Sequence, residues 1–252
     1  MGDGLVEYLD GVPGAMGSVK VCVYRKNDGV GRKVWDVAGE IIDLGMAFKA
    51  LFAIICFVVS GVAVFGQQKG YTVVNRSFTD DGKVIHLGAA EGDGKVWFKG
   101  LDFAEGTIEF DIKGKDVQQQ SFVGFAFHGV NDSTYEAIYF RPFNFRATDP
   151  VRKGHAVQYV APPQYDWSVL RAKFPNKYEQ PVSPVPDPND WFHAKIVVGA
   201  NKVEVFVNRN ATPSLVVEPI VHRAGRLAGF WVGNGSDGDW KNLRVNGVSI
   251  VP

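Results

Sequence analysis

Residues 106–129 read GTIEFDIKGKDVQQQSFVGFAFHG. Two runs of alternating apolar residues flank a polar stretch. Ile108, Phe110 and Ile112 recur at every second position, and Val123, Phe125 and Phe127 do the same. A period of two is that of a β-strand, whose successive side chains point to opposite faces. These six residues therefore belong to a core face. Glu109 and Asp111 point away from it. So do Gly124, Ala126 and His128, and the two small residues leave room there for a ligand.

The same pattern continues outward from this pair. Short runs rich in Val, Ile, Phe, Tyr and Trp lie at 83–87, 95–99, 135–141, 155–160, 192–198, 202–208, 215–217, 226–232 and 240–245. Turn-forming clusters such as GDG, GVND, NRNATP and GNGSDGD separate them. Many short strands without intervening helical periods predict an all-β, antiparallel sandwich or barrel. In 135–141, Ile138 and Phe140 share one face, and Tyr139 and Arg141 share the other. The face assignment of 155–160 stays open between His155/Val157/Tyr159 and Ala156/Gln158/Val160. One insertion, 161–190, breaks the rhythm. In it Trp167, Leu170 and Phe174 have helical spacing behind Asp166 as N-cap, and the proline-rich Pro181–Asp190 must be extended loop. Insertions this long are often lids or binding loops.

The N-terminal third reads differently. Ala50–Phe65 is a 16-residue run without charge, short of the roughly 20 residues a spanning helix needs. Met46 and Lys49 precede it, and small residues stand before Gln67. That is the pattern of a secretory signal peptide over 46–66, cut after Gly66; a cytoplasmic region with a membrane anchor is the alternative. Residues 1–45 show no clear period and are expected to be an upstream over-extension outside the fold. The domain is then 67–252, periplasmic or secreted. The whole chain carries 27 basic and 27 acidic residues. Residues 1–66 hold 6 and 7 of these, which leaves 21 and 20 on the remaining 186 residues. A balance this close to neutral excludes a nucleic-acid backbone as partner. Both cysteines, Cys22 and Cys56, fall in the segment removed, so no disulfide framework and no thiol chemistry are expected.

GTIEFDIKG, FVGFAFHG, DWFHAKIVV (190–198), KVEVFVN (202–208) and GFWVGNGSDGDWKNLRV (229–245) together resemble the concanavalin-A-like lectin/glucanase superfamily. In detail they are similar to its 3-keto-disaccharide hydrolase and laminin-G-like branches. The resemblance implies a two-sheet jelly-roll sandwich with a concave saccharide-binding face. It implies an exported carbohydrate-active protein, a glycoside hydrolase or lyase on modified saccharides such as 3-keto-glycosides. The alternative is a non-catalytic carbohydrate-binding or laminin-G-like interaction module.

The densest polar-aromatic stretch is Tyr135–Phe145. Sugars offer flat C–H faces to aromatic rings and hydroxyls to Arg, Asn and Gln. Tyr139, Arg141, Asn144 and Gln158 are such a set, and Tyr165 and Trp167 of the insertion join them as candidate binding residues. Glu136 stands nearest to the acid of the related hydrolases. His128 and His155 could move protons near neutral pH. Glu109 and Asp111 lack the third acid of laminarinase-type sites and read as a solvated face. No cofactor is expected. Asp237 and Asp239, with Asn234 and Ser236, offer oxygen ligands of the kind calcium takes, although a Gly/Asp-rich turn needs no metal. Gly233-x-Gly235-x-x-Gly238 runs into a strand rather than the helix that a dinucleotide site requires.

Overall fold

The computed structural model describes residues 70–251 and three short strands before them. These three are β1 (Val6–Tyr8), β2 (Cys22–Asn27) and β3 (Lys33–Ala38). They pair antiparallel in that order as a unit of their own. The sequence shows no clear period there. The apolar segment 46–66 lies outside the described residues. No helix among the described residues is long and apolar enough to cross a membrane.

The remaining elements follow in chain order. First come β4 (Tyr71–Val74), β5 (Phe78–Asp80), β6 (Ile85–Leu87), β7 (Gly94–Phe98) and β8 (Gly106–Lys113). Then come β9 (Val123–Asn131), β10 (Thr134–Phe140), the short helices α1 (Pro142–Phe145) and α2 (Pro150–Gly154), and β11 (Val157–Val160). Next are α3 (Trp167–Lys173), β12 (Glu179–Gln180), β13 (Phe192–Val198) and β14 (Val203–Val207). The last four are β15 (Leu215–Val217), β16 (Leu227–Val232), β17 (Gly238–Val245) and β18 (Val248–Ser249).

They build two antiparallel sheets. One has the order β12-β11-β10-β9-β16-β7-β4, and the other β15-β14-β13-β8-β17-β6-β5 with β18 on β17. The protein is thus all-β, a two-sheet antiparallel sandwich. Its core is the aromatic layer between the sheets. The Phe230 ring meets Phe98, Phe110, Phe125 and Trp240 at centroid distances of 5.1, 6.1, 5.8 and 5.0 Å. Phe192 takes Phe140 and Phe145 edge-on at 5.1 and 5.3 Å. Burying each such side chain contributes about 1.5–3 kcal/mol, and edge-to-face contact adds to that. Ile108, Phe110, Ile112, Val123, Phe125 and Phe127 are all fully buried, as alternation predicts.

Alternation fails in β9. It turns His128 outward with Gly124 and Ala126. In the structure β9 bulges there: its register against both β10 and β16 shifts on either side of His128, whose φ is +50°. A bulge re-aims the side chain, and the imidazole turns to the inner face. The run read as starting at His155 also begins later. His155 is the C-cap of α2, and β11 starts at Val157. The helix inside the insertion forms as the spacing predicts, with the Asp166 side chain accepting from the Ser168 and Val169 amides. The insertion additionally supplies β12, an edge strand on β11.

Candidate functional site

The floor of the site is one cross-strand row. Tyr139 of β10, Gly124 of β9 and Trp231 of β16 stand side by side. Neighbouring strands are roughly 4.8 Å apart, so the two aromatic residues are two strand spacings apart. Gly124 has no side chain, and the rings lean over it to a centroid distance of 4.9 Å. A Cβ at Gly124 would overlap the Ile138 carbonyl and stand 2.7 Å from Tyr139 Cβ. The room that small residues leave on this face is therefore taken by the protein's own rings. The next row, Ala137, Ala126 and Gly229, is small as well. Tyr135 accepts a bond from Trp231 Nε1 at 3.0 Å and donates to Asp93 Oδ2 at 2.9 Å. Burial pushes the Tyr139 hydroxyl up to about 12 and raises that of Tyr135 too. Both hydroxyls keep their protons at neutral pH.

Arg141 follows β10 with the parity of Tyr139 and lies on the same face. Its Nη2 donates to the Tyr139 hydroxyl and to Gln158 Oε1, both at 2.6 Å, and its Nη1 donates to the His155 carbonyl at 2.9 Å. Behind it stands Glu179 of β12. Arg171 of α3 donates two parallel bonds to that carboxylate, at 2.7 and 2.6 Å. His155 Nε2 lies 3.3 Å from Glu179, and Arg141 Nη1 lies 3.8 Å from it. Two guanidiniums and an imidazole thus share one buried carboxylate. Burial lowers the His155 pKa; Glu179 opposes this, and the charges of Arg171 and Arg141 reinforce it.

A cavity of about 460 Å³ opens above this floor, within the usual size of small-molecule sites. Tyr139, Arg141, Asn144, His155 and Trp167 line it, with Tyr135, Phe122, Trp231 and Arg152 beside them. The Trp167 side chain opens α3 and is 47% exposed, with the Arg171 guanidinium 4.9 Å from its ring centre. Two carboxylates reach the lining, Asp93 and Asp166. The first takes the Tyr135 hydroxyl and the second caps α3.

Four sequence candidates sit elsewhere. Gln158 is fully buried beneath the cavity and holds Arg141. Tyr165 does not line it; reciprocal backbone bonds to Ala161 make it part of the turn into α3. Glu136 and His128 belong to a second cavity of about 240 Å³. The reason is strand parity: Glu136 alternates with Tyr135 and Ala137, so it faces inward when Tyr139 faces the site. There His128 Nδ1 meets Glu136 Oε1 at 2.8 Å, and His128 Nε2 meets the Ala104 carbonyl. Tyr159 donates to Glu136 Oε2 at 2.6 Å. Both ring nitrogens face acceptors, so the protonated ring can donate to both. Burial lowers its pKa, but the bonds to Glu136 and Ala104 outweigh burial and leave it above the ordinary imidazole value.

The sequence missed Trp231, Tyr135, Arg152, Arg171 and Glu179. Of these, Tyr135 carried a signal, since it has the parity of Tyr139. Glu109 and Asp111 lie on the outer face of the other sheet, where His193 sits 3.6 and 2.9 Å from them. Asp237 pairs with Lys115 and Asp239 with His86, both at 2.6 Å. Among the described residues no group of three His, Cys, Asp or Glu side chains converges on a metal position.

No protein-family model and no curated protein matches the chain. Among solved structures it is similar to the carbohydrate-binding module CBM66 from Bacillus subtilis, with 14% identity, a TM-score of 0.49, and coverage of 69% of this chain and 94% of that one. A candidate glycosyl hydrolase from Parabacteroides distasonis ATCC 8503 gives 14% identity, a TM-score of 0.45 and coverage of 80% and 96%. The Ca2+/Man3GlcNAc-bound exoplasmic/lumenal domain of VIP36 gives 10% identity, a TM-score of 0.45 and coverage of 69% and 81%.

The His128 contacts predict a pH-dependent stability. The folded pKa lies above the unfolded value of about 6.5. The stabilisation is therefore complete below that value and is lost as pH rises through the folded pKa. The denaturation midpoint of the wild type should exceed that of His128→Gln at mildly acidic pH. The gap should narrow steadily on the alkaline side. A gap that does not change with pH would mean that the charged ring contributes nothing.

Proposed function

We propose that this chain is an exported saccharide-binding domain and that the cavity over Tyr139, Gly124 and Trp231 is its binding site. The observation that carries this reading is the composition of that cavity. Aromatic rings pave it, one exposed indole stands at its mouth, and Arg141, Asn144 and His155 line the wall. Rings suit the C–H faces of a sugar and fixed donors suit its hydroxyls. A thermal-shift screen over oligosaccharides and 3-keto-glycosides, with and without calcium, should show stabilisation by mass action with at least one sugar. With the sugar so found, Trp167→Ala should lower affinity roughly tenfold by calorimetry, the loss of one stacking platform at about 1.4 kcal/mol. An unchanged affinity would remove Trp167 from the site.

A second reading, catalysis in the same cavity, is favoured by one feature, the His155–Glu179 pair. A carboxylate lies 3.3 Å from the ring, and the surroundings lower its pKa, which keeps the ring unprotonated as a general base must be. The paired carboxylates of ordinary glycosidases have no counterpart at the cavity floor, because Asp93 and Asp166 are engaged elsewhere. Turnover under this reading should fall on the acid side, as the ring protonates below the ordinary imidazole value. His155→Gln should abolish it. Activity that survives in His155→Gln would exclude His155 as the base.

Export rests on the apolar run Ala50–Phe65. N-terminal sequencing of the protein recovered from outside the cytoplasm should begin at Gln67. A product beginning at Met1 would overturn the signal-peptide reading.

A further inference from the structure

The cations of the cavity wall are unequally neutralised. Arg171 spends its fork on Glu179. Arg141 is buried, leans on the same carboxylate, and gives its other bonds to Tyr139, Gln158 and the His155 carbonyl. Glu179 therefore serves two guanidiniums. Arg152 is different. It lies on α2, half-buried on the cavity wall. Its Nε donates to Asn144 Oδ1 at 3.3 Å and its Nη2 to the Phe143 carbonyl at 3.0 Å. Both partners are neutral, and no ion pair forms at Arg152 among the described residues. These two bonds fix the plane of the guanidinium and leave its charge unopposed. A guanidinium held this way presents a fork suited to two oxygens of a carboxylate or of a tetrahedral oxyanion.

The nearby carboxylates do not pair with it. Asp166 Oδ1 accepts from the Ser168 and Val169 amides and from the Ser168 hydroxyl, as a helix cap. Asp149 caps α2 through the Val151 amide. Asp93 is held by the Tyr135 hydroxyl from the floor. Each of these carboxylates is thus engaged by donors of its own, and none forms an ion pair with Arg152 among the described residues. Arg152 itself is half-buried, so its charge is screened less than one on open surface.

We infer that the sugar this cavity takes is acidic, and that Arg152 binds its oxyanion, a uronate carboxylate or a sulfate ester. The inference rests on the saccharide-binding reading and narrows it to one class of ligand. The oxyanion meets Arg152 while the ring lies over Trp231 and Tyr139.

Calorimetry on the full chain tests it with matched pairs of ligands. One arm compares oligomers of galacturonate, glucuronate and mannuronate with their carboxyl-reduced, neutral counterparts. The other compares sulfated oligosaccharides with their desulfated forms. An acidic member should bind at least about tenfold more tightly than its neutral partner, the value of one charge-assisted contact. Added salt should weaken it. Which arm shows the preference identifies the oxyanion. Arg152→Gln should erase most of that preference, and Arg152→Lys should restore part of it. Unchanged melting temperatures would show that both variants fold. Neutral partners binding as well as acidic ones would overturn the acidic-sugar inference and leave the saccharide reading standing. An acidic preference that persists in Arg152→Gln would overturn the role of Arg152. No binding in either arm or to any neutral glycan would overturn both.

Discussion

The site depends on a missing side chain. Gly124 sits between Tyr139 and Trp231 in one row of the sheet, and only hydrogen at that position lets the two rings meet over β9. With a methyl group there β10 would be pushed away at Ile138 and Tyr139, and the Tyr139 ring with it. Trp231 would then lose its packing against it, and the bond from Trp231 to the Tyr135 hydroxyl would lose its support. The Tyr139 hydroxyl accepts from Arg141, and Arg141 reaches on to Gln158 and the His155 carbonyl. One glycine thus sets the floor, and the floor sets the position of the buried cation. The inter-sheet core on the opposite face of β9 makes this possible, since Phe125 is wedged among Phe110 and Phe230 and holds the strand flat against its neighbours.

A buried guanidinium is costly, and its removal from water is offset only when its donors are satisfied. Arg141 meets that condition with neutral oxygens more than with charge: a phenol, an amide and a backbone carbonyl take its short bonds, while Glu179 stands at 3.8 Å. Glu179 gives its best geometry to Arg171 instead. The insertion therefore does two jobs through one ion pair. It brings α3 and its exposed Trp167 over the cavity, and it fastens α3 to the sheet by way of β12. A sheet edge that would otherwise stand open is covered by the same segment.

Faces were legible in this sequence, and neighbours were not. Alternation places Ile108, Phe110, Ile112, Val123, Phe125 and Phe127 in the core and Tyr139 and Arg141 on the other face, because period two is a property of a single strand. The same rule separates Glu136 from Tyr139, three positions apart, so one site could never have held both. His128 misleads for a different reason. A bulge is a relation between β9 and its partners, and nothing local in FVGFAFHG announces it. Trp231 and Glu179 escape notice because their importance lies in which strand they stand next to. Trp231 is 92 positions from Tyr139, and Glu179 acts from a two-residue strand inside a proline-bounded insertion.

These relations bear on what the domain does. The groups best suited to proton transfer by residue type, His128 and Glu136, satisfy one another and the Ala104 carbonyl on the inner face, where they tie β9, β10 and the segment before β8 together. The outer cavity keeps the reverse arrangement: its rings and amides are presented, its carboxylates are committed to caps and hydroxyls, and its one titrating imidazole leans on an anion already shared by two arginines. A cavity built this way is rich in fixed donors and poor in free acids. Under the saccharide-binding reading, such a surface is suited to holding a ligand's hydroxyls and anionic groups.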